Sequence, residues 1–447
     1  MIELENREAL AAEFQELADE VLKSAAAKGA TAAEVGFDKG TGLSVQVRMN
    51  EVEKLQYHRD QGASLTVYFG HKKGYASTGD LSKQALEDTL EAACRIARFT
   101  AEDEFNGLAD AELMATEIPE LDLYHPWSLT ADEAIELALK SESVAREHDA
   151  RIVNSDGAGV DSYAGLGLYA NSHGFRGVGT STSHSLSCSV VAQDGDSMQR
   201  DYWYDSSCVA GKLESAESIG LKAAERTVRR LNGQSLSTRE VPVIYVPELA
   251  RGLIGSLVSA LSGGSQYRKA TFLLDSIGQQ AFPEFVQLHE RPHLKQQGGS
   301  RAYDSEGVAT QDREIILDGK IQDYFLSSYS ARKLGRQTTG SAGGSGNLLL
   351  DHTGVSYDDM IKQMGTGLLV TELIGHGGNP ITGDYSRGAA GFWIENGEIL
   401  YPVEEITIAG NLKEMFLGIQ AIGSDVDNRG RVQCGSILID KMTVAGQ

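Results

Sequence analysis

The chain has 447 residues, 41% hydrophobic and 23% charged, which fits a globular protein of two or three structural units. Its 40 basic and 63 acidic side chains leave a net charge of −23, and no Lys/Arg stripe offsets it, so direct nucleic-acid binding is disfavoured. No apolar run approaches the ~20 residues of a membrane helix, and the acidic opening Met1-Ile-Glu-Leu-Glu5 lacks the apolar core of a secretion signal.

Leu10, Phe14, Leu17 and Val21 recur at helical spacing and predict a first helix between Glu5 and Ala27, with Gly29 as its stop. Short strands follow at Leu43–Val47 and Ser64–Phe69, separated by glycines and charged pairs, and Ser82 caps a helix carrying Leu86, Leu90, Ala93 and Ala97. A strand meander with helices, instead of strict βαβ alternation, indicates an α+β fold. Residues 106–127 read as an irregular acidic linker, a possible sub-boundary. Thr130-Ala-Asp-Glu133 is a capping box that opens the next helix. Arg151–Val191 reads as glycine-punctuated strands, and a helix from Glu214 to Leu231 stops at Asn232-Gly233.

The polar stretch Gln234–Arg239 precedes a strand, Val241–Val246, and separates an N-terminal α+β region (1–236) from a β-rich C-terminal domain (237–447). The latter opens with a helix over 248–261. Fifty glycines, about 11% against a usual ~7%, predict many tight turns. Cys94, Cys188, Cys208 and Cys434 show no metal or disulfide spacing and read as small core residues of a protein in the reducing cytoplasm.

Several motifs invite chemistry that their context opposes. His289-Glu-Arg-Pro-His293 has the H-E-x-x-H form, which needs a continuous helix to bring both imidazoles to one face. Pro292 inside that turn would cost ~3 kcal/mol or more, so the segment reads as a surface loop. Ser330-Ala-Arg-Lys333 reads as a helix surface, Gly165–Ala170 as strand, and Gly343–Asn347 as a flexible connection or a peptide-contacting loop.

The strongest signal is Gly375-His-Gly-Gly-Asn-Pro-Ile-Thr-Gly-Asp-Tyr-Ser-Arg-Gly-Ala-Ala-Gly-Phe-Trp-Ile-Glu-Asn-Gly397, continued by Tyr401-Pro-Val-Glu-Glu-Ile-Thr-Ile-Ala-Gly-Asn-Leu412. With Leu274–Ser276, Asp304–Val308, Ser328–Gly335 and Ala421–Gly423 it resembles the PmbA (TldE) branch of the TldD/PmbA family, formerly called modulators of DNA gyrase. The resemblance implies two kinds of subunit. The TldD branch is a peptidase, with zinc on an H-E-x-x-x-H helix and a later cysteine ligand; the PmbA branch is its partner. Together they resemble a compartment that admits and cleaves unfolded peptides, maturing peptide antibiotics and degrading antitoxins.

Here the corresponding helix, Gly252–Leu261, contains no His, Glu or Cys, so no zinc and no catalytic residue is expected in this chain; zinc is expected in the TldD-like partner. Within the signature, His376, Asn379, Thr382, Asp384, Tyr385, Ser386 and Arg387 are candidates for peptide contact beside bare glycine backbone. A buried turn fixed by an Asp384–Arg387 pair accounts for the same residues equally well. Other readings are an autonomous metallopeptidase using His289 and His293, or a homodimeric peptide-binding protein acting without a partner. An isolated subunit would self-associate through the surface meant for the partner.

Overall fold

In the computed structural model, which describes residues 6–446, the helical spacing of Leu10, Phe14, Leu17 and Val21 becomes α1 (Arg7–Ala27), with all four side chains buried. The opening segment Met1–Glu5 lies outside the described residues. β1 (Ala32–Arg48), β2 (Glu51–Phe69) and β3 (Lys72–Thr78) form a meander, followed by α2 (Lys83–Phe99), whose N-cap Ser82 accepts the Ala85 amide. Thr130 and Glu133 make the reciprocal capping box of α3 (Ala131–His148). A second meander, β4 (Ile152–Asn171), β5 (Arg176–Asp194) and β6 (Ser197–Ser207), precedes α4 (Ala216–Val228). The six strands make one antiparallel sheet ordered β3-β2-β1-β4-β5-β6, against which all four helices pack. The fold is α+β.

The strands are much longer than the short segments the sequence indicates. Asp38–Gly40 and Asp60–Gly62, which resemble turn residues, pair with each other inside β1 and β2. Gly40 is required there because the Tyr163 ring of the neighbouring strand lies where its Cβ would stand. Glycine and charge thus mark a cross-strand aromatic contact and a solvent face, not a chain reversal.

One polar pair is sealed in this unit. His184, fully buried, meets the Ser162 hydroxyl through Nδ1 at 2.9 Å and the His125 carbonyl through Nε2 at 2.9 Å, with Trp127 edge-on. A carbonyl can only accept, so Nε2 carries the proton and Nδ1 accepts from Ser162. Burial holds the His184 pKa below its ordinary value. The unfolded chain therefore takes up a proton near pH 6.5 that the folded chain refuses until lower pH. Stability is expected to be independent of this group above about 6.5 and to fall as the pH drops below it. In urea titrations at pH 7.5 and 5.5, His184→Gln should show a smaller acid-induced drop in midpoint than the parent; equal drops would contradict the assignment.

The C-terminal unit begins with β7 (Arg239–Tyr245), α5 (Pro247–Ala260) and α6 (Gly263–Tyr267). It continues through β8 (Leu288–Glu290), β9 (Arg313–Leu317), β10 (Lys320–Ile321), α7 (Ser328–Lys333), β11 (Leu348–Leu350) and α8 (Tyr357–Met364). The remaining elements are β12 (Gly367–Ile374), β13 (Asp384–Glu395), β14 (Glu398–Asn411), α9 (Leu412–Leu417), β15 (Ile419–Ile422), β16 (Val432–Gln433) and β17 (Ile437–Ala445). One sheet is ordered β10-β9-β8-β11-β16, the other β14-β13-β12-β7-β17-β15. Thr407–Ala409 of β14 also pair with Thr443–Ala445 of β17, so β14, β13, β12, β7 and β17 close on themselves as a small barrel.

Alternation along β7 sends Val243 and Tyr245 into the main core and Ile244 to an outer cluster with Met360, Ile361 and Met364 of α8. Residues 106–127 are irregular but anchored: the Arg332 guanidinium donates to the carbonyls of Phe105, Gly107 and Leu108, and Met114 bridges to Val308. Among the described residues, no helix is long and apolar enough to cross a membrane.

Candidate functional site

The signature segment is the end of the β12–β13 hairpin. Past the Ile374↔Gly388 pair β12 ends, while Asp384–Arg387 of β13 stay paired with Ile408–Asn411 of β14, and residues 375–383 between them are tied by their own polar groups. Asn379 Oδ1 accepts the amides of Ile381 and Thr382 at 2.9 and 3.3 Å, and the Asn379 amide donates to the Asp384 carbonyl at 2.8 Å. The Asp384 carboxylate accepts from Thr382 Oγ1 at 2.6 Å and from Asn411 Nδ2 at 3.2 Å. These bonds, Thr382's first, hold its pKa below the usual carboxylate range. The Ser386 amide reaches back to the Gly377 carbonyl at 2.7 Å, and a side chain at Gly377 would strike the Ser386 backbone. Glycine there permits the close approach.

Three of the seven candidates lie in the loop, and alternation along β13 sorts the other four. His376, Asn379, Thr382, Asp384 and Ser386 are exposed, Tyr385 is buried in the barrel, and Arg387 is half-buried. Tyr385 lies hydrogen-bonded beside the fully buried Tyr245 hydroxyl and beside Arg387. The alternative of a buried turn fixed by an Asp384–Arg387 pair does not hold: the turn is exposed, and Thr382 and Asn411 are the partners of Asp384.

α5 contains Gly252–Ala260, the stretch that the resemblance matches to the zinc helix of the TldD branch. Leu253, Ile254, Leu257 and Ala260 face the core, while Gly252 and Ser259 are exposed, and Ser256 Oγ donates back to the Gly252 carbonyl at 3.1 Å. Cys434 is buried at the start of this helix, its thiol 3.9 Å from the Pro247 carbonyl and pushed by burial up to about 12. A single thiol so far from deprotonation, with no group of three His, Cys, Asp or Glu donors about it among the described residues, does not match the donor set zinc takes.

The H-E-x-x-H segment is not the surface loop its proline suggests. His289 and Glu290 belong to β8, Pro292 is buried, and only His293 is exposed. His289 has Glu314 at Nδ1 and Asp351 at Nε2, so the carboxylates bracket the imidazole from opposite sides and cannot converge with it on one ion. His293 instead meets Thr310 Oγ1 at 3.1 Å. Among the described residues, no three His, Cys, Asp or Glu side chains are grouped to hold a metal ion.

Three smaller readings also change. Ser330 is buried as the capping partner of Ser327 in α7, not displayed on a helix surface. The Gly343–Asn347 loop packs inward through Ser345 and Asn347, whose amide oxygen accepts the Gly299 amide at 2.8 Å. Cys94, Cys188 and Cys434 are buried, whereas Cys208 is half-exposed on the wall of a cavity. That cavity, of about 1360 Å³, lies between the N-terminal sheet and the C-terminal unit. Residues 118–124, the start of β5, the end of β6 and residues 296–303 line it. These segments are distant in sequence and share no motif, so nothing in the amino-acid order announces it.

Three family models match the chain: PmbA/TldA metallopeptidase domain 1 at residues 33–97, its central domain at 124–231 and its C-terminal domain at 238–446. Metalloprotease PmbA of Escherichia coli O157:H7 is 49% identical over 415 residues, 93% of this chain and 92% of that protein. In Buchnera aphidicola subsp. Acyrthosiphon pisum the metalloprotease PmbA homolog is 40% identical, covering 92% of this chain and 93% of its own, whereas the TldD homolog of the same organism is 22% identical, covering 86% of this chain and 83% of its own. The crystal structure of a candidate modulator of DNA gyrase from Bacteroides thetaiotaomicron superposes with a TM-score of 0.93 at 30% identity, covering 97% of this chain and 99% of its own.

Proposed function

The chain belongs to the PmbA/TldD metallopeptidase family, and from that premise we propose that it is the non-catalytic subunit of a cytoplasmic peptidase that handles unfolded peptides. Its partner in this reading is a TldD-like chain that carries the zinc. The observation that carries the proposal is the stretch Gly252–Ala260 of α5, where Gly252, Ser256 and Ser259 stand without an imidazole or carboxylate, while the helix's one carboxylate, Glu248, lies in the first turn and is paired with Arg226 and Arg429. The presence of a PmbA homolog and a TldD homolog in one organism, the former far more similar to this chain, supports its place in the partner branch.

The exposed rim His376, Asn379, Thr382, Asp384 and Ser386 is proposed as peptide-contacting surface, with Tyr385 and Arg387 supporting it from the barrel side. Purified chain is expected to carry far less than one zinc per molecule by mass spectrometry and to leave an unfolded peptide intact until a TldD-like chain is added. His293→Ala should change neither metal content nor activity of the pair. Chelator-sensitive cleavage by this chain alone would overturn the proposal.

A further inference from the structure

The cavity between the two units has an open sheet edge in its wall. β4 pairs with β5 as far as Arg176, but β6 pairs with β5 only between His184 and Asp194. Residues 176–183 therefore have a strand on one side only. The Thr182 amide points away from β4, donating to the Leu123 carbonyl at 2.9 Å, and two-residue alternation turns the amides of Val178 and Thr180 the same way. Among the described residues these two amides have no backbone acceptor on that side, and both residues line the cavity. An unpaired edge is a template for another extended chain.

The same wall is positively charged, in a protein of net charge −23. Arg301 and Lys212 both line the cavity, and neither makes an ion pair with a carboxylate among the described residues. Arg301 donates to the carbonyls of Gly340, Ala342 and Gly344, while its Nε is buried without an acceptor. Lys212 meets only the neutral Gln296 side chain. The acidic lining residues each accept from donors of this chain: Glu120 from the Asp122 amide, Asp122 from Gln296 and His125, Asp205 from the amides of Ser206 and Glu214. Cation and edge are adjacent, because the Tyr303 ring rests where a Cβ of Gly177 would lie, which holds 301–303 over the start of β5.

We propose that this cleft binds an extended acidic peptide, its backbone adding as a strand to Val178 and Thr180 and a carboxylate seating at Arg301 and Lys212. The inference rests on the reading that the chain handles unfolded peptides, and it names where one lies and which charge it carries. Backbone pairing tolerates any sequence, while the two cations select for acid.

The full chain is titrated with a fluorescein-labelled decapeptide of alternating Glu and Thr. The comparisons are its Gln-for-Glu analogue, a version N-methylated at alternate amides, and inorganic phosphate as competitor. N-methylation, Gln-for-Glu replacement and Arg301→Gln are each expected to weaken binding by about tenfold, and Lys212→Gln by several-fold. N-methylation needs no change to the protein, so a folding defect in Arg301→Gln leaves the test intact. Equal binding of the N-methylated or the Gln peptide overturns the proposal, as does phosphate bound through Arg301 while N-methylation has no effect. The assay needs no partner and no cleavage. Failed pairing with a TldD-like chain would therefore sink the functional proposal alone, and insensitivity to N-methylation would sink this one alone.

Discussion

Replacing Glu290 with Ala is expected to destabilise the C-terminal unit by about 3–5 kcal/mol, while His293→Ala, three positions away, should cost less than ~0.5 kcal/mol. Both residues belong to the segment that spells H-E-x-x-H, and the structure gives them opposite circumstances. Glu290 is 3% exposed and accepts from Arg313 Nε at 2.9 Å and Nη2 at 2.5 Å, with the Gly346 amide on its other oxygen at 2.5 Å. Arg313 also reaches Asp323, the Tyr324 carbonyl and Ser341 Oγ, each at 3.0 Å. Removing the carboxylate leaves a buried guanidinium short of its main counter-charge and frees the glycine loop at 346. The Glu290→Met/Arg313→Met double variant should recover much of the loss, since it removes both charges. Urea denaturation of the four proteins measures this. A Glu290→Ala midpoint equal to the parent's would show that the pair contributes nothing, and a stable Glu290→Gln variant that loses only catalysis would restore the motif to a chemical role.

The helices were legible because their signals are local. Ser82, Thr130 and Glu133 each satisfy an amide within three residues, so the cap can be read from four letters. The sheets were legible only in part. In β1 and β2 the apolar alternation breaks where Asp38–Gly40 faces Asp60–Gly62, and the ring that requires a glycine at position 40 belongs to Tyr163, more than a hundred positions later. Closure of the barrel rests on β14 meeting β17, which no spacing within either strand foretells. At the rim of the β12–β13 hairpin, the order Asp384-Tyr385-Ser386 already shows which side chain turns inward. The partner of Asp384 does not follow from order, because Asn411 arrives from the far end of β14. The cavity is the extreme case: its wall combines strand β5, residues 296–303 and residues 428–429.

Arg429→Ala is expected to uncouple the two units, at a loss of about 3–5 kcal/mol, so that one calorimetric unfolding transition becomes two. Arg429 is held by Asp427 through Nε at 2.9 Å and Nη2 at 3.0 Å and donates across the boundary to the Tyr204 carbonyl at 2.6 Å. Its guanidinium lies over the rings of Trp203 and Tyr204, with centroids 4.3 and 4.5 Å away. On the same boundary Arg251 of α5 bonds the Tyr204 hydroxyl at 3.1 Å, and Arg226 of α4 pairs with Glu248 of α5 at 3.2 Å. Truncating Arg429 therefore removes the nearest cation from two aromatic rings and leaves the Asp427 side chain, 5% exposed, with the backbone amide of residue 429 and the longer 3.5 Å contact to Arg251. Lysine should not substitute, because a point charge cannot stack on Trp203 and grip a carboxylate side-on together. Tryptophan emission should shift to the red in the first of the two transitions if the boundary opens first. A single transition at the parent's temperature would mean that the aromatic contact is incidental and that apolar packing alone joins the units. Asn428 and Arg429 also line the cavity, so any loosening of this boundary should reach the open edge of β5 as well.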